Sequence, residues 1–264
     1  MDMNPSQIRE VLQRYGVSPN KGRGQNFLVD ERVAEREVRY LDPYPGEVVL
    51  EVGPGLGILT HLLLARTEVV AIELEKGLCD YLQDAFGDAL RLIHGDALKM
   101  DFPPFDRFIS NLPYGISSPL IFKLLGLQFE RGVIMVQREF AERMLATAGE
   151  KEYSRLSVST YYRAECELLE IVPRTRFWPE PEVDSAMIQL KPRKAPFEVR
   201  DERLFLHLVN LLFQHRRKKI GTVLKKRDIM ERDRIGSLPF LEERVEVLTP
   251  EQIGELADAI AESR

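Results

Sequence analysis

The sequence predicts an α/β fold: a mostly parallel seven-stranded sheet with an antiparallel edge pair, followed by a small C-terminal helical domain. Three observations carry that prediction. Short apolar runs alternate with helix-length stretches through the first part of the chain. A glycine-rich turn, Gly53-Pro54-Gly55-Leu56-Gly57, follows the first clear run. Beyond Pro192 and Pro196 the apolar residues change to helical spacing, at Leu204, Leu208, Leu211 and Leu212.

In chain order, Met1 to Asp30 is polar, glycine-bearing and weakly periodic, and is read as an N-terminal segment, residues 1–30. Val48 to Val52 is a buried strand, and Val69 to Ile72, Leu90 to Ile93, Phe108-Ile109 and Val133 to Val136 continue the series. Ile58 to Ala65 and Lys76 to Phe86 are the intervening helices. Leu156 to Val172 is expected as one long strand. After the turn Trp178-Pro179-Glu180-Pro181, Ala186 to Leu190 returns beside it, closing the sheet near Lys191. The sheet domain then spans 31–194 and the helical domain 195–264. In the latter, Thr249-Pro250-Glu251-Gln252 combines a Thr cap, Pro at the first helical position and a capping-box Gln.

Composition narrows the function. The 264 residues are 44% apolar, enough for a full core, yet no run approaches the ~20 apolar residues of a membrane span. The N-terminus has no apolar stretch resembling a secretion signal. Cys79 and Cys166 are the only cysteines, so neither a disulfide framework nor a cysteine-rich metal site is supported, and a reducing cytoplasm is the simplest compartment. The net charge of −5 argues at first against nucleic acid. Its distribution argues the other way. Arg216, Arg217, Lys218, Lys219, Lys225, Lys226 and Arg227 form a run of seven cations without an acid, whereas Asp228 to the end holds ten acids against four arginines. Such a run is either a phosphate-binding face or a solvated helix surface.

Glu51-Val52-Gly53-Pro54-Gly55-Leu56-Gly57 lies between a strand and a helix, where glycines let the backbone turn tightly and approach a ligand. Glu73, at the end of the next strand, is placed to accept hydrogen bonds from ribose hydroxyls. Up to this point a dinucleotide and S-adenosylmethionine fit equally. Glu51 tilts the choice, because a carboxylate there disfavours a pyrophosphate but suits a zwitterionic, sulfonium-bearing ligand. Asp96, ending the third strand in His94-Gly95-Asp96-Ala97, is placed to accept from an adenine amine. S-adenosylmethionine is the better ligand.

Asn111-Leu112-Pro113-Tyr114 follows the fourth strand, at the sheet edge where ligands bind in such folds. These types suit methylation of the exocyclic amine of adenine, a poor nucleophile because its lone pair is delocalised. An Asn oxygen and a nearby backbone carbonyl can accept its two N–H bonds and favour a pyramidal nitrogen. Pro113 stiffens the loop, and Tyr114 offers a face for an extruded base. No strong general base is required.

At this point a family resemblance is close. Gly24-Gln25-Asn26-Phe27-Leu28, Glu51 to Gly57, Glu73, Gly95-Asp96-Ala97, Asn111 to Tyr114 and Phe177 to Ala186 occur in one order. Val136 to Glu139 and Tyr153 to Val158 join them. Residues from about 21 to 191 resemble the rRNA adenine N6-dimethyltransferases, most of all the KsgA-type small-subunit enzymes. The resemblance implies a Rossmann-like class I methyltransferase using S-adenosyl-L-methionine. It implies N6,N6-dimethylation of adjacent adenosines near the 3′ end of 16S-type rRNA. The substrate would be a pre-assembled ribonucleoprotein particle and the enzyme a cytoplasmic monomer. By position, Gln25, Asn26 and Leu28 would border the methionine end of the cofactor, with Gly53, Gly55 and Gly57 beneath it. Glu73 with Leu74 would hold the ribose, Asp96 and Ala97 the cofactor adenine, and Asn111 both cofactor and target. Asn111 with Leu112 or Pro113 would grip the target amine, and Tyr114 and Phe177 would sandwich its base. The N-terminal segment would border cofactor and RNA.

Two alternatives remain open: a large-subunit rRNA dimethyltransferase, and a ribosome-assembly factor whose binding role dominates. Leu rather than Ile at position 112, with Asp184-Ser185-Ala186, favours the small-subunit group.

Overall fold

The computed structural model describes residues 3–18, 25–227 and 234–263. Contacts divide the chain into two units: residues 1–141 with 165–192, and residues 142–164 with 193–264.

The first unit holds a seven-stranded sheet and its helices. Its strands are β2 (Val48–Val52), β3 (Glu68–Glu73), β4 (Arg91–His94), β5 (Arg107–Asn111), β6 (Arg131–Gln137), β7 (Ala164–Val172) and β9 (Ser185–Pro192), in the order β4-β3-β2-β5-β6-β9-β7. β4, β3, β2, β5 and β6 run parallel, and β9 is antiparallel to β6. The central strands are apolar on both faces because helices cover both: Val49, Leu50, Ile109, Val133 and Ile134 are fully buried. Helices α2 (Glu31–Leu41), α3 (Ile58–Leu64), α4 (Lys76–Phe86) and α5 (Ser117–Leu124) follow the strands or precede them, and α6 (Arg138–Leu145) begins in this unit and ends in the second. Asp30 caps α2, accepting from Arg32 N at 3.0 Å and Val33 N at 3.3 Å. That fixes a helix whose inward face is Val33, Ala34, Glu37, Val38 and Leu41. Two short strands, β1 (Phe27–Leu28) and β8 (Phe177–Trp178), pair antiparallel outside the main sheet, Leu28 opposite Phe177.

The second unit packs α7 (Arg155–Arg163), α8 (Glu202–Gln214), α9 (Ile220–Lys226) and α10 (Pro250–Glu262) around Phe205, Leu208, Ile220 and Leu256. The expected Thr249 capping box opens α10, with Gln252 N 3.3 Å from Thr249 Oγ1 and Thr249 N 2.9 Å from Gln252 Oε1.

Three expectations need correction. Leu156 to Val172 is not one strand, because Ser154 and Ser157 form a capping box and start α7. Helical spacing then buries Val158 and Tyr162, and β7 begins only at Ala164. The N-terminal segment holds a helix, α1 (Pro5–Arg14), whose Asn4 cap and Gln7 satisfy each other and whose Ile8 and Leu12 are buried. It packs on α4. The domain limits of 1–30, 31–194 and 195–264 also shift: residues 142–164 cluster with the later helices, and the first 30 residues with the sheet. Among the described residues no helix is long and apolar enough to cross a membrane.

Candidate active site

The carboxyl ends of β2 and β5 lie side by side, because Val49, Leu50 and Glu51 pair with Arg107, Phe108 and Ile109. From β2 the chain winds outward through β3 and β4, then returns to wind the other way through β5 and β6. At such a reversal the loops diverge and leave a crevice. One side of it is the Gly53–Gly57 turn and the other is Asn111-Leu112-Pro113; a Cβ on Gly53 would lie 3.9 Å from Pro113 Cδ.

The turn needs its glycines for two reasons. Gly55 and Gly57 take positive φ, 57° and 77°, and each is close-packed. A Cβ on Gly57 would stand 2.6 Å from the Phe86 ring, and one on Gly55 3.1 Å from Phe27. The backbone is thereby held against the neighbouring layer with its N–H groups turned inward. Gly55 N donates to Glu73 Oε2 at 3.3 Å and Glu75 N to Glu73 Oε1 at 2.9 Å.

Acids surround this turn. Glu51 is 1% exposed and accepts from Thr60 Oγ1 at 2.7 Å. Burial pushes its carboxyl up to about 7; the Thr60 bond opposes the shift and nearby Glu73 adds to it. Burial also raises Glu73, against its backbone N–H partners. Neither forms an ion pair with a cation among the described residues. Ionisation of either therefore places a negative charge beside the pocket with no cation paired to it, in a low-dielectric setting.

Gln25, Asn26, Leu28, Glu51, Gly53, Gly55, Glu73 and Asn111 line one cavity together with Leu112, Pro113 and Phe177. The β1–β8 pair brings the N-terminal block and Phe177 to this common wall. Gly57 serves instead as the N-cap of α3. Leu74, Asp96 and Ala97 are not on the wall. Leu74 is half exposed, Ala97 is buried, and Asp96 accepts from Leu98 N at 2.9 Å and pairs with Lys99 at 3.4 Å. Gly24 and the Tyr114 side chain lie outside the described residues.

A model of the family described as ribosomal RNA adenine dimethylase matches residues 17–261. The chain belongs to that family. As a member it is an S-adenosylmethionine-dependent rRNA adenine dimethyltransferase. It is 43% identical to a probable ribosomal RNA small subunit methyltransferase A of Methanosarcina acetivorans, over 96% of this chain and 97% of that protein. A Thermococcus gammatolerans protein of the same description is 42% identical, over 92% and 90%. Among solved structures, a dimethyladenosine transferase from Plasmodium falciparum aligns with a TM-score of 0.76 at 28% identity, covering 87% of this chain and 95% of that one. The 23S rRNA methyltransferase ErmE aligns with a TM-score of 0.67, also at 28% identity, over 89% and 100%.

The residues of the dimethylase cavity fit the family's cofactor. Carboxylates without cation partners suit a sulfonium, and Gly53 and Gly55 put backbone without side chains on the cavity wall. One residue of the site escapes sequence reading. Glu37 of α2 is fully buried, and with the Asn111 amide oriented so that donors meet acceptors, Nδ2 lies 3.0 Å from each Glu37 carboxylate oxygen. Its only sequence signal is a charge within the apolar stripe of an amphipathic helix.

In the helical unit, the structure separates the seven cations of the basic run. Arg216 is half-buried and bonded to Glu246 at 3.2 Å and to the Lys151 carbonyl at 3.1 Å. Lys219 pairs with Glu242 at 2.6 Å and holds that carboxyl below its usual range. Arg217, Lys218, Lys225, Lys226 and Arg227 are exposed, and Arg227 contacts His215 Nε2 at 3.0 Å.

Proposed function

We propose that this dimethylase converts adjacent adenosines near the 3′ end of small-subunit rRNA to N6,N6-dimethyladenosine. One observation carries the proposal: the glycine turn and the Asn111 loop meet at the carboxyl ends of adjacent parallel strands. Identity above 40% with proteins described as small-subunit methyltransferases supports the choice of subunit.

Gln25, Asn26, Leu28, Glu51 and the turn from Gly53 would hold the methionine end of the cofactor. Glu73 and Leu74 would hold its ribose, and Asp96 and Ala97 its adenine. When bound, S-adenosylmethionine supplies the methyl group: its C–S bond breaks, the pair staying on sulfur, as the amine lone pair forms the new N–C bond. Asn111 Oδ1 accepts one N–H of the target amine. Leu112 is the better source of the second acceptor, because the Pro113 carbonyl already takes Ile116 N at 3.0 Å and Ser117 Oγ at 3.3 Å. Both acceptors favour a pyramidal nitrogen and stabilise the positive charge growing on it. The alkylated nitrogen, now acidic, sheds its proton to water. After one transfer the amine retains a single N–H, so the second round has one fewer hydrogen bond to hold it. Phe177, with Tyr114, would stack on the base; the exposed cations of the basic run would take RNA phosphates. The enzyme acts as a cytoplasmic monomer on a pre-assembled particle.

The test is incubation with labelled cofactor and, separately, small subunits, large subunits, deproteinised small-subunit rRNA and DNA, with methylated adenines mapped by mass spectrometry. Dimethyladenosine confined to small subunits is the expected result. Label confined to large subunits overturns the choice of subunit, and label on naked RNA overturns the particle.

A further inference from the structure

We infer that Glu37 is a positioning residue for methyl transfer: its carboxylate holds the Asn111 amide with Nδ2 turned inward, so that Oδ1 faces the target amine. The inference rests on the role proposed above for Asn111. An asparagine amide is nearly symmetric in shape, and its two ends differ only in whether they donate or accept. Turned one way it accepts the amine's N–H; turned the other it presents an N–H to an N–H and repels it. Some neighbour must decide between the two. Glu37 does so in its ionised form, which the Asn111 bond itself favours: both its oxygens lie 3.0 Å from the same amide atom, and an ionised carboxylate only accepts.

The surroundings of Glu37 have no other use for it. It stands on the buried face of α2 between Ala34, Val38 and Leu41, fully shielded from water. Among the described residues Asn111 is its only hydrogen-bonding partner. Burial pushes its carboxyl well above the ordinary range; Glu51 of β2 adds to the shift, the Asn111 bond opposes it, and Glu170 of β7 adds a little more. The nearest cation in sequence, Arg36, is committed to Glu170 at 2.6 and 2.9 Å. A carboxylate buried without a cation weakens a fold, and an apolar side chain of its size would pack there at less cost. A group that the fold does not need, aimed at the atom the reaction does need, belongs to the reaction. It contributes a second effect. Drawing the Nδ2 hydrogens toward a negative charge polarises the amide and makes Oδ1 a stronger acceptor as positive charge grows on the amine nitrogen.

Glu37→Met and Glu37→Gln test this in the full-length protein. The readouts are single-turnover methylation of small subunits at saturating cofactor, cofactor affinity by calorimetry, and thermal midpoint. Glu37→Met is expected to slow transfer about tenfold or more, to leave cofactor affinity within about twofold, and to keep or raise the midpoint. Glu37→Gln should lose less, since its carbonyl can still accept from Nδ2; it also keeps the test decisive if Met is not accommodated. In an Asn111→Ala background the same substitutions should add no further loss. A wild-type rate in Glu37→Met or Glu37→Gln overturns the inference. So does a slower rate accompanied by a lower midpoint and weaker cofactor binding, which would make Glu37 structural. The two readings fail separately: near-normal turnover of Asn111→Ala alone sinks the role of Asn111, whereas an inactive Asn111→Ala beside a fully active Glu37→Met sinks only that of Glu37.

Discussion

The cavity of the sheet unit and the basic run of the helical unit are both charged, and they use charge on opposite terms. Glu37, Glu51 and Glu73 are 0%, 1% and 5% exposed and lie on or behind strand ends. Arg217, Lys218, Lys225, Lys226 and Arg227 are exposed on and beside a short helix, α9. Buried acids act in a low dielectric over a few ångströms, so each orients one atom or shifts one equilibrium. Exposed cations are screened within about 8–10 Å at ordinary ionic strength and add up as a field. The first region should therefore control rate and cofactor discrimination one residue at a time. The second should control affinity for a polyanion by its total of free charges.

The largest break between the two should come from Asn111→Ala. It removes an acceptor needed only as the nitrogen becomes cationic, so single-turnover transfer should fall about 10²–10³-fold. Cofactor affinity by calorimetry and RNA affinity by filter binding should stay close to wild type. Comparable losses in RNA affinity would blur the division between the regions.

A second effect follows from Glu51. Its carboxyl is pushed up to about 7, so in the free protein it still holds a proton where an unfolded chain has already lost one. Between the ordinary carboxylate range and about 7 the folded state therefore binds more protons than the unfolded state, and stability falls as pH rises through that window. A sulfonium nearby favours the ionised form; the thioether of the product does not. Affinity for S-adenosylmethionine relative to S-adenosylhomocysteine should thus rise between about pH 6 and 8, by up to roughly tenfold. Calorimetry with both ligands at three pH values measures it, and Glu51→Gln should flatten the trend. A ratio independent of pH would remove Glu51 from the cationic end of the cofactor.

What the sequence reveals of these regions follows how local the determinants are. Gly53 to Gly57 and Asn111 to Pro113 are legible because backbone conformation and a short loop dictate residue type within a few positions. The β1–β8 pair is not, since two-residue strands at Phe27 and Phe177 leave no periodic pattern to match. α7 is misread for a different reason. Its apolar residues run into those of β7 without a break, and the Ser154–Ser157 capping box that starts the helix consists of two common residues. Glu37 is invisible until α2 is laid against the sheet, for in sequence it is a single charge in a charged helix. The cations of the basic run were equally alike in sequence, because the acids that neutralise two of them, Glu242 and Glu246, come from a later segment.

That last difference gives the smallest effect and the finest test of the comparison. Salt dependence counts released counterions, each phosphate contact contributing about 0.7–0.9 to the slope of log K against log salt. Arg217, Lys218, Lys226 and Arg227 have no acid paired with them among the described residues, so replacing all four with Gln should flatten the slope by about 3. Arg216 and Lys219 are already matched by Glu246 and Glu242. Replacing those two should change the slope by less than about 1. The measurement is RNA binding across a salt series at fixed pH, with transfer rates at saturating RNA as the control. Equal slope changes per charge in the two sets would mean that the pairs open on RNA, and that all the cations act as one field. A slope unmoved by either set would return the whole run to a solvated surface and leave the cavity as the only charged region with a function.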